Sequence, residues 1–292
     1  MSIAMDAACL QCSLRRNLET VQPLGSAEEA MDFARALMRL YLDGPRDVPS
    51  TWFTPKITQL LHDRYGLEMD RFRQEKLQSN TLVLSHMEDI RNRVMGAENP
   101  ILAGLQFAIL GNYLDFAALQ GQISFEKFTQ MLDTAEDMQF DMTTFDRFCR
   151  DLEAGENLLY LTDNAGEIGF DRIFAEAISE SYPNLKITFC VRGGPTLNDA
   201  TREDAEAVGI PFRVIDNGNR IPGTQLNQLS PEAKQAVETA DVILAKGMAN
   251  VETMLGCGYN IYYAFLVKCQ RFVNLFHQSL MTPMLVGEHK ES

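Results

Sequence analysis

Two spacings of apolar residues divide this chain. Up to about residue 150 the apolar positions recur every three or four residues, the period of helices with one buried face. Ala30, Phe33, Ala34, Leu37, Leu40 and Tyr41 form one such stripe. Ser26-Ala27-Glu28-Glu29 before it is a capping box, whose hydroxyl and carboxylate satisfy amides left open at a helix start, and Gly44-Pro45 stops it. Thr54-Pro55 opens another helix, and Asn99-Pro100 opens a third that is expected to run to about Gln120. From about Asn157 the apolar residues gather into short runs at 158–162, 187–191, 212–215, 242–245 and 261–267. Helix-like segments separate most of them, which predicts βαβ units and a mainly parallel sheet. The expected fold is α/β: a helical N-terminal domain (1–155) followed by a doubly wound α/β domain (156–292), with Gly155 at the junction.

Composition narrows the function. The 292 residues are 46% hydrophobic and 23% charged, ordinary for a globular enzyme, but the net charge is −14. Such a field repels nucleic-acid backbones and anionic membranes, which argues against either as a partner. It repels phosphorylated molecules too, so any phosphate site must bring its own cations or a metal. Six scattered cysteines do not make a disulfide scaffold. No apolar stretch approaches the ~20 residues of a membrane span. The opening MSIAMDAACLQC lacks a basic region followed by an apolar core, so a cytoplasmic location is expected.

The candidate chemistry sits where the apolar runs end. The first run stops abruptly in Asp163-Asn164-Ala165-Gly166-Glu167. Ligands of open α/β sheets bind at the carboxyl ends of strands, and Asp and Asn oxygens suit a hard divalent cation. The same residues also serve as plain helix caps. After the second run comes Arg192-Gly193-Gly194-Pro195-Thr196-Leu197-Asn198-Asp199; the fourth leads into Lys246-Gly247-Met248-Ala249-Asn250, and the fifth into Lys268-Cys269. Acids, an amide and two lysines at one sheet edge exceed what turn chemistry requires. In the helical half, Asn112 and Asp115 interrupt an apolar stripe with Leu105, Ala108 and Leu119. A buried carboxylate needs a partner or a cation. Those two residues are therefore a satisfied cap, a buried pair with an N-terminal Arg, or one wall of the site.

Taken together, TDNAGE, RGGPTLNDAT, AKGMANVE, GNYLD and VKC resemble the damage-control phosphatases, also known as the domain of unknown function 89 family, in its prokaryotic branch. The resemblance runs in order along nearly the whole chain. It implies a helical domain packed on a three-layer α/β/α sandwich, and hydrolysis of phosphate monoesters of small metabolites aided by Mg²⁺, Mn²⁺, Co²⁺ or Ni²⁺. It puts metal ligands on Asp163, Asn164 and Asp199, and substrate or phosphate contacts on Glu167, Lys246, Gly247, Asn250 and Lys268. Asn112 and Asp115 match the family's helix motif. Two carboxylates and a carboxamide oxygen leave positions on an octahedral ion for water and a phosphate oxygen. Glu167 is a candidate to handle a proton or a substrate hydroxyl, or a first-turn helix acid. Whether Asp163 is a ligand alone or also a nucleophile stays open.

Other readings are weaker on the residues. DNAGEIG lacks the G-x-G-x-x-G turn of a Rossmann-like methyltransferase or dinucleotide binder. Asp163-Asn164-Ala165 lacks the Asp-x-Asp-x-Thr of a haloacid-dehalogenase-type phosphatase. A non-catalytic small-molecule binder remains an alternative. Cys9-Leu10-Gln11-Cys12, without a second pair or nearby His, is a weak zinc signal and reads as two thiols near a helix start. His62, His86, His277 and His289 show no ligand spacing and read as structural or solvated.

Overall fold

The structure is a computed structural model that describes residues 3–118 and 125–289, with the backbone alone described at 114–118 and 125–127. Eight helices come first: α1 (Ala7–Val21), α2 (Ala27–Leu42), α3 (Thr54–Tyr65), α4 (Arg73–Leu84), α5 (Met87–Gly96), α6 (Pro100–Ala118), α7 (Phe125–Asp133) and α8 (Met142–Ala154). Strands and helices then alternate: β1 (Asn157–Leu161), α9 (Glu167–Ser181), β2 (Lys186–Val191), α10 (Arg202–Ala207), β3 (Arg213–Asp216), α11 (Pro231–Thr239), β4 (Val242–Lys246), α12 (Gly247–Met254), β5 (Ile261–Leu266), α13 (Gln270–Phe276) and β6 (Pro283–Glu288). The Ser26 capping box forms, with Glu29 accepting from the Ser26 amide. All five expected strands are present within a residue or two.

The sheet order is β3-β2-β1-β4-β5-β6, parallel except for the antiparallel edge β6. The chain winds outward from β1 through β2 to β3, then returns to place β4 on the other side of β1. The winding therefore reverses between β1 and β4, where open α/β sheets form their ligand crevice. Strand residues alternate between two cores. Leu158, Tyr160, Leu244 and Tyr262 face Ile101, Leu105, Phe148 and Phe174 of α6, α8 and α9. Leu159, Leu161, Ile243 and Tyr263 face Val237, Val251 and Phe272 of α11, α12 and α13. Sheet and helices make three layers, and α6 and α8, from the helical half of the sequence, cover one face of the sheet.

Two contacts of that helical half shape the site. Helix α6 lies closely against α9 through Gly104 and Gly111: a Cβ at Gly104 would stand 2.6 Å from Phe174 Cδ2, and one at Gly111 would stand 2.8 Å from Glu167 Cγ. Helix α4 contributes Lys76 and Asn80, buried against Asp204 at the start of α10. Among the described residues no helix is long and apolar enough to cross a membrane.

Candidate active site at the β1/β4 switch point

Three loops converge beyond the carboxyl ends of β1, β2 and β4. The β1 and β2 loops are zipped together: the Ala165 amide donates to Asn198 O at 2.9 Å, and the Ala200 amide to Asp163 O at 2.8 Å. This ladder faces Asn164 to Asp199 and brings together Asp163, Asn164 and Asp199, which are 7%, 4% and 3% exposed. Asn164 Nδ2 donates to Asp163 Oδ2 at 2.8 Å and to Glu167 Oε2 at 3.1 Å. Because carboxylates only accept, these bonds fix which end of the amide is nitrogen.

The third loop leaves no room to spare. Gly247 has φ +75°, and a Cβ there would lie 1.9 Å from Asp163 Oδ2. The backbone that opens α12 can pass the Asp163 carboxylate only as glycine. Gly166, at φ +76°, turns the chain into α9, and its amide donates to Asn80 Oδ1 at 2.6 Å. That bond ties the helical half to the loop carrying Asn164 and Glu167.

Lys246 lies behind this rim and is wholly buried. Its Nζ donates to Glu167 Oε1 at 2.6 Å, Asp171 Oδ1 at 2.7 Å and Ala108 O at 2.8 Å, so all three of its protons are engaged. Asn112 Nδ2 donates to the same Glu167 oxygen, and the Tyr160 hydroxyl to Asp171 Oδ1. Burial alone would lower the Lys246 pKa, but the Asp171 and Glu167 carboxylates outweigh it and hold it at about 12. Burial pushes the Asp171 carboxyl up to about 7; Lys246 opposes the rise and the nearby Glu167 adds to it. Asn250 is equally enclosed, donating to Thr162 O and Lys246 O and accepting from Thr224 Oγ1. Lys268 is half-buried just past β5, at the same edge of the sheet, with its amide 3.3 Å from Met248 Sδ. Asp115 is on α6, but its side chain lies outside the described residues.

Arg192 was not singled out from the sequence. It is 1% exposed; Nε donates to Asp199 Oδ2 at 2.6 Å and Nη2 to Thr162 O at 3.1 Å. A basic residue directly after an apolar strand was the available signal. Asp171 was also missed, although an acid four residues after Glu167 in the helix containing Ile168, Phe170, Ile173 and Phe174 marks a polar group among buried ones. Asn80 gives no local signal, because a polar residue on an amphipathic helix looks like surface.

Formal charge bears on whether a cation fits here. Asp163, Glu167, Asp171 and Asp199 are buried together with Lys246 and Arg192, so the described cluster holds more carboxyl groups than bases. The oxygens of Asp163, Asn164 and Asp199 are hard donors of the kind a divalent cation takes. Among the described residues no three His, Cys, Asp or Glu side chains stand close enough together to hold a metal ion. Eight buried side-chain atoms lack a protein partner among the described residues; half of them, on Asn112, Asp171, Arg192 and Thr196, belong to this network or its loops. Buried polar atoms of this kind call for a hydrogen-bond partner beyond the protein's own groups, water included.

Elsewhere, Cys9 sits near the start of α1, where its amide donates to the capping Asp6, and its Sγ accepts from Arg271 Nη1 at 3.2 Å. His62 and His86 contact backbone carbonyls, and His289 pairs with Asn260.

Known proteins share this architecture and sequence. A crystal structure of a domain of unknown function 89 family protein from Pyrococcus horikoshii superposes with a TM-score of 0.84, covering 98% of this chain and 99% of that one at 24% identity. A protein called damage-control phosphatase from Archaeoglobus fulgidus is 30% identical over 74% of each chain, and one from Pyrococcus horikoshii 32% identical over 68% of each. An uncharacterized protein of Methanocaldococcus jannaschii is 28% identical over 92% of this chain and 90% of its own. The sequence profile of the damage-control phosphatase ARMT1-like domain matches residues 5–281, and the chain belongs to that family.

Proposed function

We propose that this protein is a metal-dependent phosphatase that hydrolyses phosphate monoesters of small metabolites, such as sugar phosphates or damaged cofactor-related phosphates. The observation that carries the reading is the Asn164–Asp199 ladder, which gathers two acids and a carboxamide at the switch point beside a buried cluster of carboxyl groups and bases. Asp163, Asn164 and Asp199 are the residues that would hold Mg²⁺, Mn²⁺, Co²⁺ or Ni²⁺. Such an ion polarises a phosphoryl oxygen and lowers the pKa of water at the site.

The chain's own groups then divide the remaining work. Glu167, held by Lys246 and Asn112, presents its second oxygen toward Asn164, where it is placed to take a proton or a substrate hydroxyl. The backbone amides at the start of α12 receive phosphoryl oxygens after the Gly247 turn. Lys268, from the same edge, supplies the cation that Lys246 does not: the Lys246 ammonium acts through Glu167 and Asp171. The substrate is taken to be a small phosphorylated metabolite rather than nucleic acid or a membrane lipid, in keeping with the net charge of −14.

Phosphate release from an aryl phosphate by chelator-stripped protein, with each of the four ions restored singly, tests this. Turnover should return with at least one ion and fall by about 10³-fold or more in Asp163→Ala and Asp199→Ala, the scale of losing a principal electrostatic group. Asn112→Ala should fold and retain partial activity. Ion binding without turnover by the wild type would favour a binding protein instead.

A further inference from the structure

We infer that Arg192 is a positioning residue that fixes the spacing between the two acids of the candidate ion site. This inference rests on the proposed metal-dependent reading. The guanidinium spans two strand ends: Nε holds the Asp199 carboxylate at 2.6 Å, and Nη2 holds Thr162 O, the carbonyl directly before Asp163, at 3.1 Å. Two donors in one rigid plane therefore join the element carrying Asp163 to the residue supplying the other carboxylate. The clamp sits where chain position is already constrained. Arg192 N donates to Ala200 O, closing the loop that presents Asp199, and Asn250 Nδ2 also donates to Thr162 O. With its side chain fully buried, Arg192 is held in one arrangement.

A buried arginine on a ligand carboxylate can act in two opposed ways. As a counter-charge it competes with a cation for Asp199, and its removal tightens ion binding. As a spacer it preorganises the two acids, and its removal weakens binding, although a positive charge has been taken away. The fork geometry assigns the second role. It also separates charge from shape: lysine keeps the charge but lacks the rigid planar fork that joins Asp199 to Thr162 O.

Calorimetric titration of Mn²⁺ into chelator-stripped wild type, Arg192→Lys and Arg192→Gln tests this, with thermal melting of each protein in parallel. Both folded variants should lose about 10–100-fold in Mn²⁺ affinity, the usual effect of removing a group that orients a metal ligand. Unchanged or tighter binding in either folded variant overturns the inference. If neither variant folds, the wild type carries the test through its Arg192 Nε–H resonance during Mg²⁺ titration. A clamp keeps that resonance and its slow exchange with ion bound, whereas displacement of the guanidinium from Asp199 overturns it. A wild type that binds neither ion refutes the metal-dependent reading itself, a result distinct from failure of the clamp.

Discussion

Gly247 and Asp163 occupy neighbouring volumes that only one backbone conformation reconciles. Gly247→Ala would place a methyl group 1.9 Å from Asp163 Oδ2 and force an L-residue to φ +75°, at a conformational cost of about 1–2 kcal/mol before any displacement of the acid. The variant should melt a few degrees lower, and its Mn²⁺ affinity in calorimetry should drop by about 10-fold or more. Asp171 gives a pH signature. Its folded pKa of about 7 stands above the ordinary carboxylate value of about 3.9, so the folded protein retains this proton longer than the unfolded chain. The stability it contributes is present below pH 4 and is lost as pH rises through 7. Relative to Asp171→Asn, wild type should lose stability between pH 5 and pH 7, by at most about 1.4 kcal/mol per pH unit, and level off above. Melting curves across that range read the difference; a constant gap would show that the carboxyl does not titrate there. At this scale the sequence was legible where chemistry is local. Asp163-Asn164 directly ends a strand, and the ladder with Asp199 follows from two adjacent strand ends. The direction of Lys246 was not legible, because strand position says nothing about which side of the rim a long side chain enters.

Between elements, the α6–α9 contact sets how close Glu167 comes to the loop. Gly104 and Gly111 are two turns apart on α6 and meet Phe174 and Glu167, themselves two turns apart on α9. Gly104→Ala meets Phe174 well inside the core and should cost about 1–3 kcal/mol with ion-dependent activity retained. Gly111→Ala meets Glu167 Cα at 3.0 Å as well as its side chain, so it should cost similar stability and also lower kcat. Paired melting and kinetic measurements distinguish the two sites. The central strands β1, β4 and β5 were readable from their apolar runs because strands buried on both faces lose alternation. Strand β6 was not: Pro283 and Gly287 disfavour a strand, and only pairing with β5 across Ile261–Leu266 makes it one. Likewise, the Asn99-Pro100 start and the apolar stripe identified α6 as a helix without revealing that it covers the sheet together with α8.

Across the whole molecule, the charge of −14 acts on both proposed ligands with opposite sign. It draws divalent cations toward the site and repels a phosphomonoester dianion. Raising ionic strength from about 0.01 to 0.15 M shortens the screening length from about 30 to 8 Å. Mn²⁺ affinity should therefore fall while kcat/KM at saturating ion for an anionic substrate rises; parallel salt titrations of both quantities check this. That charge balance was plain from composition, whereas the way α4 braces the site loop depends on Lys76 and Asn80 meeting Asp204 across the molecule.

Lys246 carries one further consequence. Amine-directed acylating reagents attack only a neutral amine that they can reach, and this one is fully enclosed, protonated and bonded to three oxygens. Its three bonds run to α6 and α9, so exposing it requires β4 to part from groups on both helices. Its slow modification in an otherwise labelled protein would thus serve as a built-in clock for opening of the entire core, read by peptide mass mapping at a single lysine.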